Sequence, residues 1–153
     1  MRDAAARNAE ELRQAGCELT LSVPPSCPGC WDRVRLDQVV TNLLANAMKY
    51  GAGKPISISV GEGPHGGQAR LVVADQGIGI AKDQQEQIFE RFERAAGRSY
   101  GGLGLGLYIV RKILHAMGGA IHVDSQLGQG STFVVELPRE SAPSEISLRP
   151  PVA

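Results

Sequence analysis

The chain has 153 residues, which is enough for one domain with a hydrophobic core. Lys and Arg total 16 and Asp and Glu total 16, so bulk charge does not favour binding to nucleic acid or to an anionic membrane. Aromatic residues make up 5% of the chain, so stacking on the bases of a single strand is not favoured either. No apolar run approaches the roughly 20 residues that a membrane-spanning helix needs.

Hydrophobic periodicity predicts a helix, a strand and a longer helix in the first third of the chain. Asp3 to Ala15 is compatible with a helix that ends at Gly16. Cys17 to Val23 alternates between apolar and polar residues, as a strand does. Asp32 is placed to cap the longer helix, which is expected to end at Gly51.

The helix predicted after Asp32 has two different faces. Apolar residues three and four apart form one face, and the opposite face carries Gln38, Asn42, Asn46 and Lys49. Asn is a poor helix former, so two of them one turn apart beside a Lys are typical of placed ligands. A merely polar exterior explains the same pattern, and the residues alone leave both interpretations open.

Two paired strands follow, joined by a glycine-rich turn. They are predicted at 54–60 and 68–75, and a period of two places Asp75 on the same face as Leu71 and Val73. A carboxylate directed toward a core face is costly unless something pairs with it. The run Asp75-Gln76-Gly77-Ile78-Gly79 therefore indicates a site at the end of a strand, although Asp-Gly turns are common.

The second half of the chain begins with a predicted short helix and ends with a hairpin. Asp83 with Glu86 fits a capping box, and the short helix that follows carries Phe89. A longer apolar helix is predicted from about Gly104 to Met117. Strands are predicted at 120–125 and 131–137, with alternate apolar residues facing inward.

A glycine-rich stretch, Gly101 to Leu107, leads into the longer apolar helix. Bare backbone N–H groups at a helix N-terminus favour phosphate, whereas a flexible hinge explains the same glycines. A P-loop is excluded because Leu107, not Lys, follows Gly106. A dinucleotide fingerprint is excluded because Leu107 or Ile109 stands where its third glycine belongs.

The cysteines favour a reducing compartment. There are 3, an odd and small number, which fits a cytoplasmic protein. Cys27 and Cys30 have CxxC spacing around a Pro-Gly turn, but a second pair and a neighbouring His are missing from the sequence. A zinc or redox site is therefore disfavoured, and the role of Cys27 and Cys30 stays open.

Four signals occur in a fixed order: Asn42-x-x-x-Asn46-x-x-Lys49-Tyr50, Asp75-x-Gly77-x-Gly79, Phe89-x-x-Phe92 and Gly102-x-Gly104-Leu105-Gly106-Leu107. This set resembles the catalytic ATP-binding domain of sensor histidine kinases, in the superfamily that includes gyrase, Hsp90 and MutL. The resemblance implies a two-layer α/β sandwich, a mixed β-sheet with helices on one face, of the Bergerat type. It covers about residues 16–138, with 1–15 as a junction helix from an upstream dimerisation domain and 139–153 as a disordered tail or linker.

The resemblance also implies a set of ATP contacts. Asp75 would accept from the adenine amine, Thr132 would make a second adenine contact through water, and Asn46 would be the Mg²⁺ ligand. Asn42, Asn46, Lys49 and Arg94 would be the catalytic residues, with Arg94 directed at the γ-phosphate. The full set of implied ATP-binding residues is Asn42, Asn46, Lys49, Tyr50, Asp75, Gly77, Gly79, Ile80, Phe89, Gly102, Leu103, Gly104, Leu105, Gly106, Leu107 and Thr132.

Two departures from the family pattern bear on function. Leu103 stands where the family usually has Thr or Ser, so one hydroxyl contact is missing. Asn42 stands where the ATP-hydrolysing relatives carry Glu, so no general base for hydrolysis is evident. The pattern therefore favours γ-phosphoryl transfer to a protein nucleophile over the activity of a gyrase-type or Hsp90-type ATPase.

The expected reaction is transfer to a histidine on a separate dimerisation and phosphoacceptor domain, in two-component signal transduction. His65, His115 and His122 all lack the acidic residue that follows the family's acceptor His, so the chain is expected to be inactive in autophosphorylation by itself. Expected partners are that acceptor domain and, indirectly, a response regulator, with no nucleic acid and no direct membrane contact, and the isolated domain is expected to be monomeric. A non-catalytic nucleotide sensor and a serine kinase of the anti-sigma type remain as alternatives.

Overall fold

The structure, a computed structural model, describes residues 6–22, 31–51, 53–63, 67–90 and 106–139. The helices and strands in these ranges are α1 (Ala9–Ala15), β1 (Leu19–Ser22), α2 (Arg33–Tyr50), β2 (Ile56–Glu62), β3 (Gln68–Asp75), α3 (Gly106–Ala116), β4 (Ala120–Ser125) and β5 (Ser131–Pro138). Two short 3₁₀ turns, Lys82–Gln84 and Gln87–Phe89, lie between β3 and α3.

The strands form one mixed sheet of five strands in the order β1-β2-β3-β5-β4. β1 pairs with β2 in parallel, whereas the three other pairs are antiparallel. Residues that face each other across antiparallel strands point to the same side, as Ile58, Val73 and Phe133 do. The register therefore gives the sheet one continuous apolar face.

That apolar face and the helices share a single core. Ile58 and Phe133 from the sheet lie in the same buried cluster as Leu44 of α2 and Leu114 of α3. The helices therefore cover one face of a mixed sheet, and the predicted two-layer α/β fold is confirmed.

The ends of the helices follow from their capping residues. The Asp32 carboxylate accepts hydrogen bonds from the backbone N–H groups of Val34 (3.0 Å) and Arg35 (3.2 Å), so the predicted N-cap of α2 is confirmed. Gly16 ends α1 with a φ of 73°, in the left-handed conformation that glycine adopts without strain. Gly118, with a φ of 79°, lies two residues after the end of α3.

One prediction differs from the structure. Asp83 and Glu86 do not form a capping box, because the chain makes two 3₁₀ turns there and neither has a side-chain cap. The predicted domain boundary at residue 16 stays a prediction, and the structure adds the contacts that α1 makes. Leu12 of α1 is buried in the common core, and Arg7 forms an ion pair with Asp37 of α2, so α1 packs against the rest of the described fold.

Several predictions concern residues that lie outside the described ranges. They are the CxxC pair Cys27 and Cys30, Arg94, the glycine stretch 101–105 and the segment 140–153. Among the helices that the structure describes, none is both long enough and apolar enough to cross a membrane.

The N-cap of α2 can be tested with a matched pair of substitutions. Asp32→Ala should lower the free energy of unfolding by about 1 kcal/mol, because two N–H groups of the first turn lose their acceptor. Asp83→Ala removes an exposed aspartate that caps no helix and should change the free energy of unfolding by less than about 0.5 kcal/mol. Urea denaturation monitored by circular dichroism measures the free energy of unfolding of both variants. An equal decrease in the two variants would contradict the assignment of Asp32 as the N-cap of α2.

Candidate nucleotide-binding site

Asp75 lies at the end of the central strand β3 and is 8% exposed. It shares the inward face of the strand with Leu71 and Val73, as the period of two predicted. The backbone N–H of Gly77 donates to its Oδ1 at 2.9 Å. Within the described residues no Lys or Arg forms an ion pair with it, so its partners there are backbone groups.

The burial of Asp75 sets its electrostatics. Desolvation raises the pKa of the carboxyl above its ordinary value, and the backbone N–H groups of Gly77 and Ser131 offset only part of this effect. A desolvated carboxylate with free acceptor capacity favours a ligand that brings a hydrogen-bond donor. This position can therefore select an amine group.

The glycines after Asp75 are required by close contacts within the protein. A Cβ on Gly77 would lie 2.0 Å from the carbonyl oxygen of Tyr50, and one on Gly79, whose φ is +76°, would lie 2.0 Å from that of Gln126. The N–H of Ile78 also donates to the Tyr50 carbonyl at 3.2 Å. These glycines thus hold the Asp75 loop between the end of α2 and the β4–β5 turn.

The β4–β5 turn closes the other side of the Asp75 loop. The N–H of Gly128 donates to the carbonyl oxygen of Ile78 at 2.8 Å. Gly130 has a φ of +87°, and a Cβ there would lie 2.1 Å from the carbonyl oxygen of Asp75. Gly128 and Gly130 are therefore in direct backbone contact with the loop that carries the carboxylate.

The C-terminal end of α2 lies beside Asp75. A Cβ on Gly51, the residue after α2, would lie 3.4 Å from the Cβ of Asp75. Asn42 and Asn46 are half-buried one turn apart, and Lys49 is exposed. Within the described residues, neither Asn amide forms a hydrogen bond to another part of the chain, so both have oxygen and N–H groups available to a ligand.

The register of β5 distinguishes two neighbouring hydroxyl residues. Ser131 pairs with Asp75 and is 6% exposed, so its side chain shares the Asp75 face. Thr132 pairs with Ala74, which places its side chain on the opposite face of the sheet. The structure therefore favours Ser131 over Thr132 as the hydroxyl beside the Asp75 carboxylate.

Ser125 and Gln85, which the sequence reasoning missed, hold the Asp75 loop against the β4–β5 turn. The Ser125 hydroxyl accepts from the N–H of Ile80 at 2.8 Å and donates to the carbonyl oxygen of Gly130 at 2.7 Å. The Gln85 amide donates to the carbonyl oxygens of Ile80 (3.0 Å) and Ser125 (2.9 Å). The bonds between Ile80 or Gln85 and Ser125 join residues at least 40 positions apart, so no local pattern indicates them.

Phe89 is fixed from two sides. Its ring packs edge-on against Phe133 with centroids 6.3 Å apart, and the Arg111 guanidinium lies 5.6 Å from its centroid. Arg111 also lies 3.8 Å from the carboxylate of Glu90. Phe89 and Ile80, both predicted as ATP contacts, are thus buried beside the site as part of the core.

At the start of α3, Gly106 is exposed and Leu107 is half-buried. These two residues are the described part of the predicted phosphate loop.

The described residues offer a magnesium ion few ligands of their own. They include no group of three His, Cys, Asp or Glu side chains that could hold a metal. Mg²⁺ commonly uses one or two protein oxygens together with substrate phosphates and water. The available amide oxygen of Asn46 fits that second mode.

Comparison with known proteins gives one family. The sequence profile described as histidine kinase-, DNA gyrase B-, and HSP90-like ATPase matches residues 31–141, more than half of the chain.

The curated relatives are sensor proteins. Sensor histidine kinase AruS of Pseudomonas aeruginosa is 45% identical over 108 residues, covering 67% of this chain and 11% of that protein. Sensor-like histidine kinase SenX3 of Mycolicibacterium smegmatis is 34% identical over 148 residues, covering 95% of this chain and 38% of that protein. Sensor protein SrrB of Staphylococcus aureus is 42% identical over 134 residues, covering 85% of this chain and 23% of that protein. The chain thus spans between 11% and 38% of the length of these relatives.

Solved structures agree with the fold. Full-length ShkA, in complex with AMPPNP, matches with a TM-score of 0.80 and 34% identity over 92% of this chain and 29% of that one. The catalytic domain of the histidine kinase ThkA matches with a TM-score of 0.79 and 27% identity over 91% of this chain and 90% of that one.

The packing role of the glycines can be tested by adding one methyl group. Gly77→Ala should lower the free energy of unfolding by about 2 kcal/mol or more, because the new Cβ meets the Tyr50 carbonyl and the loop must shift. Gly61→Ala is the control, since a Cβ there has open space and its effect should stay within about 0.5 kcal/mol. Urea denaturation measures the free energy of unfolding of the two variants. A Gly77→Ala protein as stable as Gly61→Ala would contradict the close approach of Gly77 to the Tyr50 carbonyl.

The cost of burying Asp75 can be read from the pH dependence of stability. The folded state keeps the Asp75 proton to higher pH than the unfolded chain, so this group lowers the free energy of unfolding as pH rises from about 4 through its raised pKa. Asp75→Asn removes that cost. The stability of Asp75→Asn relative to the unmodified protein should therefore increase from acid to neutral pH.

Urea titrations across that pH range measure the difference between the two proteins. Asp124→Asn, at an exposed position on β4, controls for the loss of one negative charge. A relative stability of Asp75→Asn that stays flat or falls with rising pH would show that burial does not raise the pKa of Asp75.

Proposed function

This chain belongs to the histidine kinase-, DNA gyrase B- and HSP90-like ATPase family, and on that premise we propose that it binds ATP with Mg²⁺ and donates the γ-phosphoryl group to a histidine on a separate domain. One observation carries the proposal. A buried carboxylate, held by backbone groups at the end of β3, adjoins the end of the helix that presents the Asn42 and Asn46 amides. The complex of ShkA with AMPPNP supports ATP as the ligand.

The base is recognised at Asp75. An ionised carboxylate only accepts hydrogen bonds, and the exocyclic amine of adenine donates them. Burial has already removed water from the Asp75 carboxylate, so a hydrogen bond from the amine satisfies an acceptor that water no longer satisfies. A carbonyl oxygen has no proton to donate and leaves that acceptor unsatisfied. Adenine is therefore preferred over bases with an oxygen at that position.

The metal and phosphates lie along the polar face of α2. Asn46 would hold Mg²⁺ through its amide oxygen, and Asn42 lies one turn away on the same face. Lys49 contributes an exposed positive charge for the phosphates. Bound Mg²⁺ supplies neutralisation of the charge that develops on the phosphates during transfer.

The remaining phosphate contacts belong to the glycine stretch and the segment before it. Gly106 begins α3, whose N-terminal N–H groups suit an anion. The contacts of Gly102 to Leu105, and that of Arg94 with the γ-phosphate, are part of the proposal and rest on the family pattern.

Transfer is favoured over hydrolysis by the residues of α2. Hydrolysis needs a base that activates water, and the neutral amide of Asn42 cannot take up that proton at neutral pH. The one carboxylate within α2, Asp37, is paired with Arg7. Phosphoryl transfer through a loose transition state needs mainly alignment and charge neutralisation, which this site supplies.

The proposed acceptor is a histidine outside the described residues. His115 and His122 are exposed on α3 and β4, and no acidic residue follows either of them. In this proposal a separate dimerisation domain supplies the acceptor histidine, and a response regulator then receives the phosphoryl group. The relatives named as histidine kinases support histidine as the acceptor. A domain that uses ATP must face the compartment that holds it, so a cytoplasmic location is part of the proposal.

The proposal is tested by transfer of labelled phosphate from ATP to a supplied histidine acceptor domain. Asn46→Ala should lower the Mg²⁺-dependent transfer rate by about 100-fold, because the metal loses its protein ligand. Gln38→Ala, which removes an exposed amide from the same helix two turns earlier, should leave the rate unchanged.

Acid treatment of the labelled acceptor identifies the phosphorylated residue. A phosphoryl group on histidine is lost in acid, whereas one on serine is retained. Acid-stable label would favour the serine kinase alternative, and ATP binding without transfer to any acceptor would favour the nucleotide sensor.

A further inference from the structure

Ser125, the last residue of β4, is a hydrogen-bond junction beside the candidate site. Its hydroxyl has three partners: the N–H of Ile80 at 2.8 Å, the carbonyl oxygen of Gly130 at 2.7 Å and the hydroxyl of Ser131 at 3.0 Å. These partners come from the loop after Asp75 and from the β4–β5 turn, the two segments that enclose the carboxylate. The Ser125 hydroxyl is therefore a shared fixed point for both.

The chemistry of the three partners fixes the direction of each proton. A serine hydroxyl has one proton to donate and two lone pairs that accept. The Gly130 carbonyl can only accept, so Ser125 uses its single proton there. The Ile80 N–H can only donate, so Ser125 accepts from it. Ser131 must then donate its own proton to the second lone pair of Ser125.

This assignment changes what Ser131 can offer a ligand. Ser131 pairs with Asp75 across the β3–β5 ladder, so its side chain lies on the Asp75 face. With its proton given to Ser125, the Ser131 hydroxyl has only lone pairs left to present. Asp75, when ionised, also presents only acceptors. The two buried groups thus both present only hydrogen-bond acceptors, which suits an amine and disfavours a carbonyl oxygen.

We propose that Ser125 is a positioning residue for base specificity: it holds the Ser131 hydroxyl as an acceptor beside Asp75, and so strengthens the choice of a 6-amino purine over a 6-oxo purine. The inference rests on the proposed binding of ATP at Asp75 and concerns selectivity at that site. Without the Ser125 hydroxyl, Ser131 is free to rotate and to donate to a 6-oxo group.

Gln85 provides a matched control within the same junction. Its amide donates to the backbone carbonyls of Ile80 and Ser125, so it anchors the same two segments. It makes no bond to the Ser125 hydroxyl and does not determine the direction of any hydroxyl proton. A variant at this position therefore loosens the junction without changing what Ser131 presents.

The test compares the dissociation constants of ATP and inosine triphosphate, which carries a carbonyl oxygen where ATP carries the amine. The whole chain is titrated with each nucleotide and Mg²⁺ by calorimetry. The unmodified chain should prefer ATP. In Ser125→Ala this preference should narrow by about five- to tenfold, the effect of one hydrogen bond, chiefly through tighter binding of inosine triphosphate. Ser125→Thr keeps a hydroxyl at this position and should keep the preference of the unmodified chain for ATP over inosine triphosphate.

Ser131→Ala gives a second, independent readout. It should narrow the preference to a similar extent, and the double variant Ser125→Ala/Ser131→Ala should be no less selective than either single variant, because both substitutions remove the same interaction. If Ser125→Ala does not fold, Ser131→Ala still decides, since an unchanged preference in that variant overturns the proposal.

Four further results would overturn it. One is a Gln85→Ala variant that loses as much selectivity as Ser125→Ala, since general loosening would then explain the effect. Another is an unmodified chain that binds both nucleotides equally. The third is a chain that binds neither nucleotide, which would overturn the proposed function as well, whereas ATP binding with unchanged selectivity in Ser125→Ala would overturn this inference alone.

Discussion

The structure depends on one costly interaction, the burial of the Asp75 carboxylate on the apolar face of the central strand. Desolvation raises the pKa of this group, and the backbone N–H groups of Gly77 and Ser131 compensate only in part. Among the described residues only backbone groups are hydrogen-bonded to this carboxylate, so the fold keeps it with acceptor capacity available in a largely desolvated position. Such a group lowers the stability of the fold but can accept a hydrogen bond from a ligand. Ionisable groups with a shifted pKa are for this reason common in binding sites.

The backbone around Asp75 is packed too closely for side chains. The Cβ positions of Gly77, Gly79 and Gly130 are all within about 2 Å of carbonyl oxygens from the end of α2, the β4–β5 turn and β3 itself. Three distant parts of the sequence are thus held in register around one carboxylate. The glycine motifs of this family therefore have a packing role in this chain in addition to any contact with a nucleotide.

Much of the fold and part of the site could be predicted because the relevant signals are local. The inward direction of Asp75 follows from a period of two, and the cap at Asp32 follows from its position before an apolar helix. The expected cap at Asp83 was wrong because the chain turns too tightly there for a helix. Ser131 and Thr132 differ by one residue, and only the observed pairing shows which faces Asp75. Contacts such as Ser125 with Ile80 join residues 45 positions apart and leave no periodic trace.

The central claim, that Asp75 is a desolvated acceptor reserved for the adenine amine, is tested most directly by NMR. The titration of its carboxyl carbon can be followed in selectively labelled protein, with and without ATP and Mg²⁺. The pKa of Asp75 should lie above the ordinary aspartate value in the free protein and should fall when ATP binds, because the amine stabilises the ionised form and ligand and proton binding are linked. A pKa of Asp75 that does not change when saturating ATP is added would contradict the claim.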